Sequence, residues 1–373
     1  MLSAGDKQPG PGKQSLRLSA AKGCRISVAC WRGQAGQTGS QAVAFDSFGI
    51  VGGGAWGTAL GQTLRQAGRD VVLWARESEV VEEINAEHRN TPFLPGVHLA
   101  PGLRATGNLA DLAAQEVLLM VAPAQHVRAV ATELARHLPD GRPVVICAKG
   151  LERATSKLLG EVLAETLPRA TQAVLSGPSF AADVARGLPA ALSLASLDEG
   201  LGRSLAAAIG YRHLRIYWAN DPVGVQLGGA VIIVLAIAAG IVEGKGFGAC
   251  AHAALVTRGF AELRRFGEAL GARPETLMGL SGLGDLLLTC GSPQSRNMSL
   301  GRALGQGQAL DQVLGNRRSV AEGVYTAAAI VKVATVRGID MPIAGAVQAI
   351  VAGTSSVEAA IEALLSRPQR AES

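Results

Sequence analysis

A chain of 373 residues that is 48% hydrophobic and only 17% charged carries enough apolar side chain for two buried cores, which excludes a disordered body. The net charge of +5 sits in the first 44 residues, where Lys7, Lys13, Arg17, Lys22, Arg25 and Arg32 face one acid, Asp6; the remainder balances 29 basic against 29 acidic side chains. A neutral body has no basic footprint, so no nucleic-acid partner is expected.

Residues 1–44 are rich in Gly, Ser, Gln and Arg without periodicity and read as a disordered tail, from a misplaced start or an appended segment. A transit peptide is the alternative reading, and no apolar run of signal-peptide length is present. From Phe48 the pattern predicts a strand to Val51, a glycine turn, a helix from Ala55 to about Ala67, and a second strand over 70–74. Apolar runs at 117–122, 144–148 and 173–175 then alternate with helical stretches at 127–137 and 156–166. Strands separated by helices predict an α/β fold, a Rossmann-type, doubly wound parallel sheet, over 45–222.

After about Asp221 the strand signals fade, and residues 223–365 are expected to form an all-helical substrate domain. Its first segment, Leu227 to Val242, has no charge over sixteen residues, short of a membrane span, and reads as a helix buried on all sides. The apolar surface of this domain points to a homodimer. Five scattered cysteines, Cys24, Cys30, Cys147, Cys250 and Cys290, show neither zinc spacing nor a disulfide framework, so a cytoplasmic location and no metal are expected.

Gly52, Gly54 and Gly57 form G-x-G-x-x-G directly between the first strand and its helix. The first glycine permits the turn, the second lets backbone approach a pyrophosphate, and the third packs helix on strand, with the phosphate at the helix N-terminus. Cofactor choice is read after the second strand, where Arg76 and Glu77 stand together; the arginine favours NADP over NAD.

The loop, with Ala55, Trp56, Gly57, Thr58 and Ala59, closely resembles that of the bacterial NAD(P)-dependent glycerol-3-phosphate dehydrogenases. Arg89-Asn90 with Phe93-Leu94-Pro95, Lys149-Gly150-Leu151-Glu152, Ser176-Gly177-Pro178-Ser179-Phe180, the run 279–286, and Gln294-Ser295-Arg296-Asn297 match in order, over about 45–365. The resemblance implies hydride transfer between a nicotinamide and C2 of dihydroxyacetone phosphate or glycerol 3-phosphate, a step in phospholipid precursor synthesis. It further implies that Lys149, Arg296 and Glu322 lie at the cofactor, that Lys149, Gly177, Ser179, Asp285, Ser295, Arg296 and Asn297 hold the phosphate substrate, and that Lys149, Asp285 and Thr289 belong to the catalytic set.

One departure bears on the chemistry. Where the family reads Gly-Gly-Ala-x-Lys-Asn, with the lysine as general acid/base, this chain has Gly228-Gly229-Ala230-Val231-Ile232-Ile233. An alkyl group neither gives a proton nor bonds to an oxygen. A second departure puts Cys250 and His252 where the family has Gly-x-Asn-Ala-Arg; His252 reads as a helix-surface residue. Lys245 lies roughly 220° round the helix from 232, on the far side. The expectation is a scaffold that binds cofactor and substrate but turns over very poorly, with Asp285 left as a buried charge without its partner. The alternatives are an active dehydrogenase in which Lys149 or water supplies the proton, and a non-catalytic nucleotide-binding sensor.

Overall fold

The computed structural model describes residues 44–315 and 321–368, so the expectation of a disordered tail lies outside the described residues. The chain begins β1 (Ser47–Val51), α1 (Ala55–Gln66), β2 (Asp70–Trp74), α2 (Ser78–Glu87), β3 (Arg104–Thr106), β4 (Val117–Met120), α3 (Val127–Leu134), β5 (Pro143–Ile146), α4 (Leu159–Thr166), β6 (Thr171–Ser176) and α5 (Ala181–Ala185). It continues through β7 (Ala190–Ala195), α6 (Glu199–Ile209) and β8 (Leu214–Ala219). The eight strands form one sheet in the order β3-β2-β1-β4-β5-β6-β7-β8. The first six strands are parallel, with Val51 opposite both Trp74 and Met120.

The expectation of a parallel sheet is corrected at β7, which runs antiparallel to β6 with Ser176 opposite Ser193. The link between them holds only the five-residue α5, too little for the crossover helix that a parallel neighbour requires.

Strand side chains alternate between two cores. Phe48, Ile50, Val71, Leu73, Leu119 and Val145 enter one, while Val51, Val72, Leu118, Met120, Val144 and Ile146 enter the other, which is continuous with the helical half. That half contains α7 (Pro222–Gly244), α8 (Gly248–Ala269), α9 (Pro274–Met278), a π-turn at Leu280–Gly284, α10 (Asp285–Cys290), α11 (Arg296–Gly305), α12 (Leu310–Gly315), α13 (Gly323–Arg337), α14 (Pro342–Val351) and α15 (Val357–Leu365).

The central helix α7 starts sharply because Asp221 accepts from Gly224 N at 2.8 Å and Pro222, lacking an N–H, stands at the first turn. Every residue from Pro222 to Ile241 is buried. The helix is long and apolar enough to cross a membrane, yet 94% of its most apolar window is buried inside the protein. Burying each large aliphatic side chain here contributes about 1.5–3 kcal/mol. Small residues let α11 touch the backbone of α7: a Cβ on Gly301 would stand 1.9 Å from the Ile237 carbonyl oxygen. That contact fixes where the N-terminus of α11 points.

Glu262 of α8 holds the start of α14, accepting from Ile343 N at 2.6 Å and Ala344 N at 3.2 Å. Burial outweighs these two donors and pushes its carboxyl up to about 7. A raised folded-state value favours the protonated form, so the stability this group contributes is complete below its ordinary value and is lost as pH rises through about 7. Amide exchange at Ile343 and Ala344 is expected to quicken between pH 5 and pH 8 beyond the intrinsic rate, as order-of-magnitude bounds on the window. In Glu262→Gln this extra pH dependence should vanish; its persistence would assign it elsewhere.

Candidate active site

The parallel strands β1, β2, β4, β5 and β6 all end on one edge of the sheet, and every candidate residue of the sheet half lies there. After β1, Gly52 has φ +132°, a conformation closed to L side chains, and a Cβ there would lie 2.9 Å from Ala122 N. A Cβ on Gly57 would stand 2.0 Å from the Gly52 carbonyl oxygen, whereas one on Gly54 would meet nothing within 4 Å. Gly54 caps α1 without a side-chain bond, so the N–H groups of Ala55, Trp56 and Gly57 face an open approach at the positive end of the helix. These residues fit a dinucleotide pyrophosphate. Gly57→Ala is therefore expected to lower both thermal stability and NADPH affinity. Gly54→Ala should lower NADPH affinity at least tenfold, as an order-of-magnitude figure, with unchanged melting, because its methyl group occupies only the ligand's space. Equal affinity in Gly54→Ala and the parent, measured by NADPH fluorescence titration, would remove the cradle assignment.

Asn90 braces this loop from the chain after α2. Its Nδ2 donates to the Gly53 carbonyl at 2.8 Å and to Thr58 Oγ1 at 2.7 Å, and the residue is fully buried. Its position in the Arg89-Asn90 signature was visible in the sequence; the bracing role was not. Arg76, just beyond β2, is 74% exposed and paired with Glu77 at 3.0 Å.

Lys149 follows β5 and Gly177 follows the neighbouring β6. Lys149 Nζ donates to Asp285 Oδ2 at 2.5 Å and to the Gly177 carbonyl at 3.4 Å. Thr289, one turn further along α10, donates to Asp285 Oδ1 at 2.9 Å. Asp285 is only 1% exposed while the Lys149 side chain is 26% exposed. This corrects the expectation of an unpartnered Asp285: both its oxygens are bonded, and the cation comes from the other half of the chain. Ser179 stays beside the same corner, its hydroxyl donating to the Gly177 carbonyl at 3.2 Å.

At the start of α11, Ser295 Oγ accepts from Met298 N at 3.2 Å and Asn297 Oδ1 accepts from Gly323 N at 3.0 Å, so both side chains are oriented by the helices they cap. Arg296 between them is exposed, yet enough protein surrounds it to push its guanidinium below the ordinary arginine value. Its planar guanidinium, flanked by the capping side chains of Ser295 and Asn297, has the geometry that holds a phosphate. Glu322, whose charge acts on Arg296, accepts from Ala124 N at 3.1 Å and so ties the start of α13 to the loop after β4; burial pushes its carboxyl up.

Ile232 is fully buried and Ile233 is 6% exposed. They lie one turn beyond Gly228 and Gly229 on the same face of α7. A Cβ on Gly229 would sit 3.2 Å from Lys149 Cγ, and Ile233 Cδ1 is 3.9 Å from the point where a Cβ on Gly150 would stand. Ile233 and Gly229 thus adjoin the Lys149-Gly150 segment. Lys245 pairs with Glu358 on α15, and His252 is half-buried near the start of α8.

With this geometry established, comparison with known proteins is specific. Residues 47–201 match the family described as NAD-dependent glycerol-3-phosphate dehydrogenase N-terminus, and residues 221–362 match its C-terminus. A glycerol-3-phosphate dehydrogenase, NAD(P)+, of Parvibaculum lavamentivorans is 59% identical over 330 residues, covering 88% of this chain and 99% of the relative. The protein of that name from Caulobacter vibrioides is 57% identical, covering 88% and 99%. The crystal structure of glycerol-3-phosphate dehydrogenase from Coxiella burnetii superposes with a TM-score of 0.83 at 37% identity, covering 86% of this chain and 98% of that one.

Proposed function

Since the chain belongs to the NAD-dependent glycerol-3-phosphate dehydrogenase family, we propose that it binds NADP(H) or NAD(H) together with a small phosphate substrate, dihydroxyacetone phosphate or glycerol 3-phosphate, and turns them over very slowly. The nicotinamide, when bound, supplies the hydride. The chain's own residues then have three tasks: to hold the pyrophosphate at Gly54 and the N-terminus of α1, to hold the substrate phosphate at Arg296, and to pass a proton to the C2 oxygen.

The first two tasks are supported by the open approach at Gly54 and by the exposed guanidinium of Arg296 at the start of α11. The third is where the reading departs from an active enzyme. The observation that carries it is the pair of buried alkyl side chains, Ile232 and Ile233, of which Ile233 stands against Gly150, at the positions where the family's lysine and asparagine belong. Losing a positioned general acid costs about a hundredfold to ten-thousandfold in rate. Arg76 supports a preference for NADP, since its exposed guanidinium ends β2 where a 2′-phosphate is accommodated.

One observation favours a second reading, an active dehydrogenase in which Lys149 supplies the proton. Its ammonium is partly exposed and held at the carboxyl end of β5 by Asp285 and Gly177. The test uses one preparation for both properties: NADPH binding by fluorescence, and NADPH oxidation with dihydroxyacetone phosphate. Binding with near-silent turnover is the expected result. No NADPH binding sinks the proposal, and turnover at a family-typical rate that disappears in Lys149→Met establishes the second reading instead.

A further inference from the structure

Three buried hydroxyls without a hydrogen-bond partner cluster around one stretch of α7. Thr326 of α13 and Ser281 of the π-turn are fully buried, and Ser176 at the end of β6 is 6% exposed. Each is located by its neighbours. A Cβ on Gly229 would stand 2.9 Å from Ser176 Oγ, and one on Gly228 would stand 2.2 Å from the Ser281 carbonyl oxygen. A Cβ on Gly150 would stand 2.9 Å from Thr326 Oγ1 and 3.9 Å from Ile233 Cδ1. The start of α13 is pressed on the same turn, since a Cβ on Gly323 would lie 2.5 Å from the Ile233 carbonyl oxygen.

Buried polar groups in folded proteins are nearly always bonded, because an unbonded one forfeits the hydrogen bonds it makes to water. Two of these hydroxyls are placed on this stretch, Ser176 Oγ beside Gly229 and Thr326 Oγ1 on the Gly150 that Ile233 also approaches, and the side chain α7 offers at 233 is alkyl. Isoleucine fills volume and offers neither donor nor acceptor. An amide at 233 extends about as far as the isoleucine it replaces and carries both a donor and an acceptor.

We infer that Thr326, with Ser176 and Ser281, is a hydrogen-bonding shell built for polar side chains at 232 and 233, and that Thr326 is the positioning residue for position 233. The inference deepens the proposed function by naming the residue that orients the amide beside the proton donor, but it stands on the orphaned hydroxyls and is tested without catalysis. It reverses the ordinary rule for a helix core, in which an introduced amide finds no partner and destabilises strongly.

Thermal unfolding of four proteins decides it: the parent chain, Ile233→Asn, Thr326→Val, and the double variant. Thr326→Val removes the orphaned hydroxyl at constant shape, so the melting temperature should hold or rise. Ile233→Asn should cost about 3 °C more in the valine background than in the parent, as an order-of-magnitude shift for a protein of this size. Thr326→Ser, which keeps the hydroxyl, should behave as the parent does. If Ile233→Asn does not fold, Ile233→Thr replaces it in the same cycle, since it adds a hydroxyl at smaller volume. Additive shifts overturn the inference. A second readout separates positioning from simple stability: in the Ile232→Lys, Ile233→Asn background, Thr326→Val should lower kcat about tenfold with KM unchanged, and Thr326→Ser should restore it. Coupled melting shifts with a silent reverted enzyme would overturn the proposed function and leave the shell standing; additive shifts with a restored enzyme would do the reverse.

Discussion

Installing lysine at 232 and asparagine at 233 in this chain is expected to raise NADPH-dependent turnover of dihydroxyacetone phosphate by about a hundredfold to ten-thousandfold. Hydride arrival at C2 leaves negative charge on its oxygen, and a proton must be available within hydrogen-bond reach as the charge develops. Position 232 stands one turn beyond Gly228 and Gly229, and Gly229 adjoins the Lys149 side chain. A lysine there starts on the stretch of α7 that Lys149 touches at Gly229, and Lys149 in turn holds Asp285. The single variant Ile232→Lys should recover part of the gain, falling about tenfold short of the double variant, if the lysine gives the proton and the amide orients it. The measurement is initial rate against substrate for parent, single and double variants under one condition. Parent and double variant turning over alike would end the impaired-scaffold reading and move the proton donor to Lys149 or solvent.

The second large effect is on stability. Lys149→Ala removes the cation from an aspartate that is 1% exposed, and breaking a buried pair by deleting one partner typically costs about 3–5 kcal/mol. For a chain of this size the melting temperature should fall by about 5 °C. Asp285→Asn is expected to cost far less, because the Lys149 side chain, 26% exposed, turns to water when its partner is neutral. The double variant Lys149→Ala, Asp285→Asn should recover most of the loss, leaving the Thr289 bond to the amide oxygen. Equal losses for the two single variants, or no recovery in the double, would show that the pair is not the main electrostatic contact of Asp285.

Much of the architecture was legible in the residues. The glycine loop, its helix and the two strands beside it were read to within a residue or so, because turn, helix start and strand are neighbours in the chain and short-range sterics shape them. The burial of α7 followed from its lack of charge. Three strands escaped notice for identifiable reasons. β3 spans three residues at the sheet edge, and β7 and β8 form the far edge, where Arg215 and Tyr217 break the apolar pattern on the exposed face.

The site divides along the same line. Sequence alone determined which residue types are present: three glycines at cofactor spacing, a lysine after one strand, an Asp285-Thr289 pair one turn apart, an exposed-capable arginine, and two isoleucines where a proton donor is expected. Those are properties of residue identity and of separations of a few positions, which local geometry converts directly into shape. Only the tertiary structure decided which groups meet. Lys149 and Asp285 are 136 positions apart, and Asn90 reaches back 37 to the cofactor loop. Thr326 and Ile233 both approach Gly150, and the start of α13 packs on α7 at Gly323. Contacts of that kind arise from how helices and sheet share buried volume, and the partner of a buried charge or hydroxyl is whatever that packing places within 3 Å, about one hydrogen-bond length.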